Sequence, residues 1–292
     1  MILPVTTERR TLRALLVRAL TAVPVWLVAA LTVNLVIGLV KDLGLGWDAH
    51  AYWSAWRGPM YDAAPNTLDA FLYSPAFAQL YWPLAQLPWP VACTIAVAAP
   101  AIALAYLLRP LGLFWAVPLW TIGLAETLSG NIFWLLALVA LWGLERPWLW
   151  AVPALTKVTP ALGPVWFAAR REWRQLGISV AATVLVVAVS FAISPGLWGQ
   201  WFDFLRDNVG DSRQGLGSAG ALPLLVRLPL AIAVVVWGAL TNRRWALPVA
   251  MMLSTPVTSI ACWVLLAAIP RLSTRASVPT DDRSPAPARA SG

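Results

Sequence analysis

The chain has 292 residues, of which 60% are hydrophobic and 12% charged, and its formal net charge is +8. A soluble domain carries about a quarter charged residues, so this composition excludes an ordinary water-facing surface. Each membrane-crossing helix needs roughly 20 mostly apolar residues, so the chain has room for about eight to ten membrane segments. The composition therefore predicts an all-α polytopic membrane protein.

The positive charge lies in short arginine clusters at the ends of apolar runs. This pattern is typical of membrane orientation signals, so membrane lipid is the expected partner and nucleic acid is not. Cys93 and Cys262 lie in apolar stretches without a CxxC pair, so neither a metal site nor a disulfide is indicated. The preference for arginine over lysine, with abundant alanine, proline and tryptophan, is typical of a GC-rich bacterial genome.

The first apolar run, residues 20–40, follows a basic start that includes Arg9 and Arg10. It is longer than the apolar part of a signal peptide and has no clear cleavage site. It therefore predicts a retained first helix with a cytoplasmic N-terminus, in a bacterial plasma membrane. Next come a polar and aromatic first external loop over 41–75, an interfacial piece over 76–87, a crossing over 88–108, and apolar runs over 111–128 and 132–144.

Residues 147–169 predict a broken helix, because Pro153, Pro160 and Pro164 interrupt the segment. A straight crossing would place the following arginine cluster outside, against the positive-inside rule. Two half-helices of about ten residues each span half of the hydrocarbon core. We therefore expect a re-entrant pair that enters and leaves on the cytoplasmic side, buried in protein or lining a polar cavity.

The remaining sequence predicts a crossing over 176–193, a second external loop over 194–221 and a return over 222–240. A second broken pair is expected over 246–269, interrupted near Ser254, Thr255 and Pro256. Residues 1–272 are predicted to form a single transmembrane domain. The tail, 273–292, is rich in serine, proline and arginine and is predicted to be disordered.

Asp48 is the first candidate for chemistry, because it follows the first helix within an aromatic segment. A carboxylate there can act as a general base, and the alternative is a solvated loop acid. His50 can serve as a proton carrier or can be an ordinary surface residue. The sequence contains 19 tryptophans, which include candidate sugar-stacking rings, although most are explained by anchoring at the membrane interface.

Lys157 lies in the middle of the first broken segment, where a charge is costly and should face a polar interior. Thr159 and Pro160 predict a helix start beside it, so the ammonium group is a candidate binder of a lipid phosphate. The alternative is a lysine that extends to the nearest interface. Glu126 is also costly in a membrane, and it either reaches the interface or pairs with a basic residue.

Four sequence features resemble glycosyltransferase family 87, the polyprenyl-phosphate-sugar-dependent transferases of the GT-C fold. Asp48 is followed by Tyr52, and the aromatic-proline run Phe71-Leu72-Tyr73-Ser74-Pro75 comes next. Gly130-Asn131 precedes an apolar helix, and Lys157-Val158-Thr159-Pro160 leads to an arginine cluster. Their order along most of the chain carries the resemblance more than any one motif does.

The resemblance implies a GT-C-like bundle and an inverting transfer on the extracytoplasmic side. The donor would be a sugar on a polyprenyl phosphate, with mannose expected, and the acceptor a glycolipid or glycan. By the same resemblance Asp48 would be the base and Lys157 would stabilise the departing phosphate. Further acceptor or sugar contacts are expected at His50, Tyr52, Glu126 and Asn131. No cofactor is required beyond the donor substrate, while a divalent metal and a protein partner stay open.

The sequence departs from the family pattern near its end. Family members carry paired histidines after a Ser-Pro-x-Ser-Trp segment, and Ala261 and Cys262 stand at the matching positions here. The alternative function is therefore a catalytically degenerate GT-C-like subunit, or a transporter of lipid-linked sugars, since broken helices with a charge at mid-depth also build transporter sites.

Overall fold

The computed structural model describes residues 5–65, 67–208, 222–256 and 259–276. Within these ranges the regular secondary structure is helical and no strand is present, so the predicted all-α class is confirmed. The described α-helices are α1 (Val5–Leu43), α2 (Trp47–Ser54), α3 (Pro75–Ala85), α4 (Trp89–Leu108), α5 (Leu113–Ile122), α6 (Leu124–Ser129), α7 (Phe133–Trp142), α8 (Ala151–Thr156), α9 (Gly163–Ala169), α10 (Trp173–Ile193), α11 (Pro195–Asp207), α12 (Leu224–Leu240), α13 (Ala246–Leu253) and α14 (Ile269–Ala276). Short 3-10 helices cover Arg109–Leu111, Pro147–Trp150 and Ile260–Ala268.

Three described stretches are long and apolar enough to cross a membrane, by length and composition. Apolar side chains on them are exposed, including Val184, Leu185 and Val189 on α10. Such a surface is costly against water and is stable against lipid. The chain is therefore a membrane protein, as predicted. The three stretches are Ala19–Ser54, Trp89–Leu111 and Trp173–Ile193.

The other apolar helices are short. Helix α7 has 10 residues, and at 1.5 Å per residue it reaches only about 15 Å, half of the hydrocarbon core. Both predicted breaks are present: the chain is non-helical between α8 and α9, and again after α13. The expected combination of long, short and broken helices is confirmed.

Two glycines separate α1 from a further helix, α2, which lies inside the segment predicted as the first external loop. Gly44 and Gly46 have φ angles of 85° and 75°, which favour glycine and end α1. The next eight residues lack glycine and proline, and they form α2. In the segment predicted as the second external loop, α11 is followed by residues outside the described ranges. On α11, Asp203 and Arg206 form an exposed pair, 3.1 Å apart.

The arginine clusters meet at one end of the helix bundle. Arg170, after α9, donates to the carbonyl of Ala239 on α12 at 2.9 Å. Arg244, after α12, pairs with Glu145 beyond α7 at 3.3 Å. The broken pair α8–α9 therefore begins and ends at this arginine-rich end, and its break lies deeper in the bundle. The predicted domain limits stay predictions. Of the tail predicted to be disordered, residues 273–276 instead form the end of α14, and residues 277–292 lie outside the described ranges.

The main core lies where α4, α7, α12, α13 and the broken pair α8–α9 meet. Trp150 is fully buried there, and its Nε1 donates to the carbonyl of Gly143 at 3.0 Å. Gly163 lies against the same indole, since a Cβ at this position would be 1.9 Å from Cε2 of Trp150. Glycine is therefore needed at the start of α9.

Replacing Gly163 with alanine is expected to lower the free energy of unfolding by about 1–3 kcal/mol or more, because the added methyl group overlaps Trp150. Gly177 on α10 is the matched control, because its Cβ would have no neighbour within 4 Å. Thermal unfolding in lipid nanodiscs measures both variants. An unchanged melting temperature for Gly163→Ala would contradict this packing.

Candidate functional site

A cavity of about 280 Å³ collects most of the predicted functional residues. Asp48, Tyr52, Asn131 and Lys157 all line it. Among the described residues that line this cavity, Asp48 and Lys157 are charged and the others are polar or apolar. Residues that are distant in sequence, on α2, before α7 and after α8, therefore share one site.

Asp48 is held by an amide whose orientation is fixed. Asn131 Oδ1 accepts the backbone N–H of Ile132 at 2.7 Å, and only an oxygen can do so. The amide nitrogen Nδ2 must therefore point the other way, where it donates to Oδ2 of Asp48 at 2.7 Å. The alternative of a freely solvated Asp48 does not fit this half-buried, hydrogen-bonded position.

The turn that carries Asn131 lies against α2. Gly130 has a φ of 69°, and a Cβ at this position would be 2.6 Å from the Cβ of Ala49. The backbone N–H of Gly46 donates to the carbonyl of Leu128 at 2.8 Å. Gly130 thus permits the close approach that places Asn131 beside Asp48.

Lys157 ends α8, so the predicted helix start at Thr159 and Pro160 is wrong. The next helix begins at Gly163, because Val158 adopts a left-handed φ of 58° and turns the chain. Lys157 therefore lies at the carbonyl end of α8, where a cation is favourable. Thr159 donates instead to the carbonyl of Ser254, and this bond joins the two helix breaks.

Aromatic rings surround the ammonium group of Lys157. Its Nζ lies 5.0 Å from the ring centroid of Tyr73 and 4.5 Å from that of Phe133. Among the described residues no ion pair joins it directly to a carboxylate, although it interacts electrostatically with Asp48 and Glu126. The alternative of a lysine reaching for the membrane interface does not fit this position.

Tyr52 and Tyr73 form a hydroxyl pair beside the cavity. Their oxygens are 3.0 Å apart, and the Tyr73 hydroxyl also contacts Lys157. Ser74 caps α3 and donates to the carbonyl of Leu155 on α8 at 2.6 Å, which fixes Tyr73 next to Lys157. Sequence reasoning assigned no role to Tyr73 or Phe133, although Tyr73 lies in the aromatic-proline run.

Glu126 is fully buried on α6 beside the cavity, outside its described lining. Its Oε1 accepts the backbone N–H of Trp134 at 2.9 Å, and no partner is recorded for Oε2 among the described residues. The alternative in which Glu126 reaches the interface is wrong, because the residue is fully buried on a short helix. The carboxylate instead accepts a hydrogen bond from the first turn of α7, and it interacts electrostatically with Lys157.

His50 points away from this cavity. It lies two residues after Asp48 on α2, and such residues face different sides of a helix. His50 lines a second cavity of about 500 Å³, where its Nδ1 contacts Oδ1 of Asp69 at 2.6 Å. The structure therefore separates His50 from Asp48.

A third, apolar cavity of about 620 Å³ adjoins the site. Ile260 lines both this cavity and the one that holds Asp48. Leucine, isoleucine and valine side chains form most of its wall, and the largest share of them comes from α4, α5 and the 3-10 helix Ile260–Ala268. A space suited to a hydrocarbon chain thus lies next to the polar site, with Ile260 in the wall of both.

The two positions that depart from the family's histidine pair have different environments. Both are buried in the main core, and Ala261 in addition lines the site. The cavity is also lined by Ser259, in the second helix break, and by Ile260 and Ala261, at the start of the 3-10 helix that follows it, so both breaks contribute. The arrangement offers a hydrogen-bonded carboxylate and an enclosed ammonium group, which suits removal of a proton and stabilisation of an anion.

One comparison with known proteins finds a match. The family model described as glycosyltransferase family 87 matches residues 71–280 of the chain. The match covers more than half of the chain and includes Asn131 and Lys157, while Asp48 precedes it. No match is found among curated proteins or solved structures.

Proposed function

Because the chain belongs to glycosyltransferase family 87 and is therefore a membrane glycosyltransferase, we propose that its substrates are a polyprenyl-phosphate sugar and a glycolipid or glycan. Mannose is the proposed sugar. The observation that carries this proposal is that Asp48 and Lys157 line one cavity, which adjoins an apolar cavity at Ile260. A base, a cation and an apolar space beside them are the three elements that this transfer needs.

In the proposed reaction Asp48 takes the proton of an acceptor hydroxyl as that oxygen attacks the anomeric carbon. The bond from that carbon to the phosphate oxygen breaks at the same time, and its electron pair stays with the lipid phosphate. Lys157 stabilises the negative charge that develops there. Attack from the face opposite the phosphate inverts the anomeric centre.

The polyprenyl chain of the donor is proposed to occupy the apolar cavity. An isoprenoid chain has no hydrogen-bonding groups, and the described residues that line this cavity are largely aliphatic. With the chain in this cavity, the phosphate would reach the polar site at Ile260, near Lys157. A water-soluble nucleotide sugar makes no use of the apolar space.

The site is proposed to face the extracytoplasmic side of a bacterial plasma membrane. Helix α7 runs from Phe133, which lines the site, to the arginine-rich end beyond Trp142. Under the positive-inside rule the arginine-rich end is cytoplasmic, together with the basic N-terminal segment. The site then lies toward the opposite leaflet.

A donor comparison tests this function. Purified protein in vesicles is given membrane glycolipids and either polyprenyl-phosphate mannose or a nucleoside-diphosphate mannose, each radiolabelled. We expect transfer from the lipid-linked donor only. Transfer from the nucleotide sugar alone would contradict the assigned donor class.

The Tyr73 hydroxyl is expected to assist transfer by orienting Lys157. Tyr73→Phe removes the hydroxyl and keeps the ring, and we expect kcat to fall about tenfold, the equivalent of one hydrogen bond to a charged group. Tyr81→Phe is the matched control, because the Tyr81 hydroxyl is buried and has no recorded partner among the described residues. Equal kcat values in the two variants would remove this role.

A further inference from the structure

The cavity that contains His50 lies beside the site, and polar and aromatic side chains line it. It has a volume of about 500 Å³, and its lining includes Trp47, His50, Asp69, Trp89 and Thr94. None of the steps proposed above uses His50 or Asp69. Its combination of ring surfaces and hydrogen-bonding groups is typical of ligand pockets, where a few polar groups fix orientation.

The two cavities share a thin wall. Trp47 lines both, and the next residue, Asp48, belongs to the first. In the connection between α2 and α3, Thr67 and Ala70 line the first cavity, whereas the two residues between them line the second. A ligand in the second cavity is therefore separated from Asp48 by a single layer of residues.

The polar groups of the second cavity are held in place. His50 Nδ1 contacts Oδ1 of Asp69 at 2.6 Å, and the imidazole packs edge-on against Trp89 with ring centroids 4.7 Å apart. No hydrogen bond is recorded for Nε2 of His50 within the described ranges. Both side chains are 36% exposed, so they are accessible to a ligand.

Three exposed leucines also line this cavity, and they are called its leucine rim. Leu43, Leu45 and Leu68 are exposed for 38%, 45% and 62% of their surface. The second cavity therefore combines polar and aromatic groups with exposed aliphatic side chains. A ligand that matches both parts has a hydroxyl-rich ring and a hydrocarbon chain.

We propose that this cavity binds the sugar headgroup of a glycolipid acceptor, with Trp47 and Trp89 against the ring and His50 and Asp69 at its hydroxyls. This inference rests on the proposed function and specifies its acceptor. The acyl chains lie along the leucine rim, one sugar of the headgroup lies in this cavity, and a neighbouring sugar of the same headgroup carries the reacting hydroxyl around the edge of Trp47 to Asp48. A soluble glycan would contact the polar and aromatic groups and leave the leucine rim uncovered.

Binding to the protein in nanodiscs tests the proposal without any turnover. The probes are tritiated octyl mannoside, octyl glucoside and octanol, and the proteins are wild type, His50→Ala, Asp69→Asn and Trp89→Ala. Trp148→Ala is the matched control, because Trp148 is exposed and lies outside this cavity. We expect saturable binding of at least one glycoside, weakened tenfold or more in the three cavity variants and unchanged in the control.

Octanol binding as tightly as both glycosides, or wild-type affinity in all three cavity variants, would overturn the acceptor site. Transfer assays on the same preparations separate the two claims. Wild-type transfer with unchanged acceptor KM in the cavity variants overturns the acceptor site alone. Specific glycoside binding without any transfer by wild type supports the site and removes the proposed function.

Discussion

Replacing Asp48 with asparagine is expected to lower the rate of sugar transfer by about 10²–10⁴-fold, the usual contribution of a general base. Asparagine has nearly the same shape but cannot accept the acceptor's proton. The amide of Asn131, which donates to Oδ2 of Asp48 at 2.7 Å, can still donate to the oxygen of the new side chain. The fold and the cavity should therefore persist.

The rate is measured as kcat with saturating donor and acceptor, and donor affinity is measured separately. We expect donor affinity to change less than threefold, because Asp48 acts on the acceptor. Asp42→Asn is the matched control, since Asp42 is exposed at the end of α1. Normal kcat in Asp48→Asn would assign the base to another residue.

Replacing Lys157 with alanine is expected to lower kcat by about 10²–10³-fold, the range found when one preorganised electrostatic group is removed from an active site. Its ammonium group is the one cation in the described lining of the cavity. Unlike Asp48→Asn, this variant should also bind the donor more weakly, since the phosphate is already charged in the ground state.

Two further variants separate charge from packing at Lys157. Lys157→Met keeps most of the side-chain volume between Tyr73 and Phe133 and should lose the same activity as alanine. Lys41→Ala, an exposed lysine on α1, should retain wild-type activity. Full activity in Lys157→Met would show that the charge has no part in transfer.

Much of the fold follows from local patterns in the sequence. Apolar runs predicted the long helices, and proline positions with arginine bias predicted both breaks. The position of a proline does not identify the residue at which a helix begins or ends, however. The start predicted at Thr159 lies in a turn because Val158 is left-handed, and Thr159 bonds to Ser254 in the other break, 95 positions away.

Single residues of the site could be predicted from the sequence, but their arrangement in space could not. Lys157 was indicated by the cost of a charge within the membrane, and Asp48 by its position after the first helix in an aromatic segment. The bond between Asn131 and Asp48 spans 83 positions and depends on the close approach at Gly130, which no local pattern reveals. The same holds for His50, whose nearness to Asp48 in sequence suggested a shared site, whereas the helix places it in another cavity.

The most direct test of the central claim is transfer of radiolabelled mannose from polyprenyl-phosphate mannose to membrane glycolipids by purified wild type in vesicles. Asp48→Asn is assayed beside it, with donor binding confirmed for both proteins. We predict label in the glycolipid fraction for wild type and almost none for the variant. A folded wild type that binds the donor but transfers nothing would contradict the account and favour a degenerate subunit or a transporter of lipid-linked sugars.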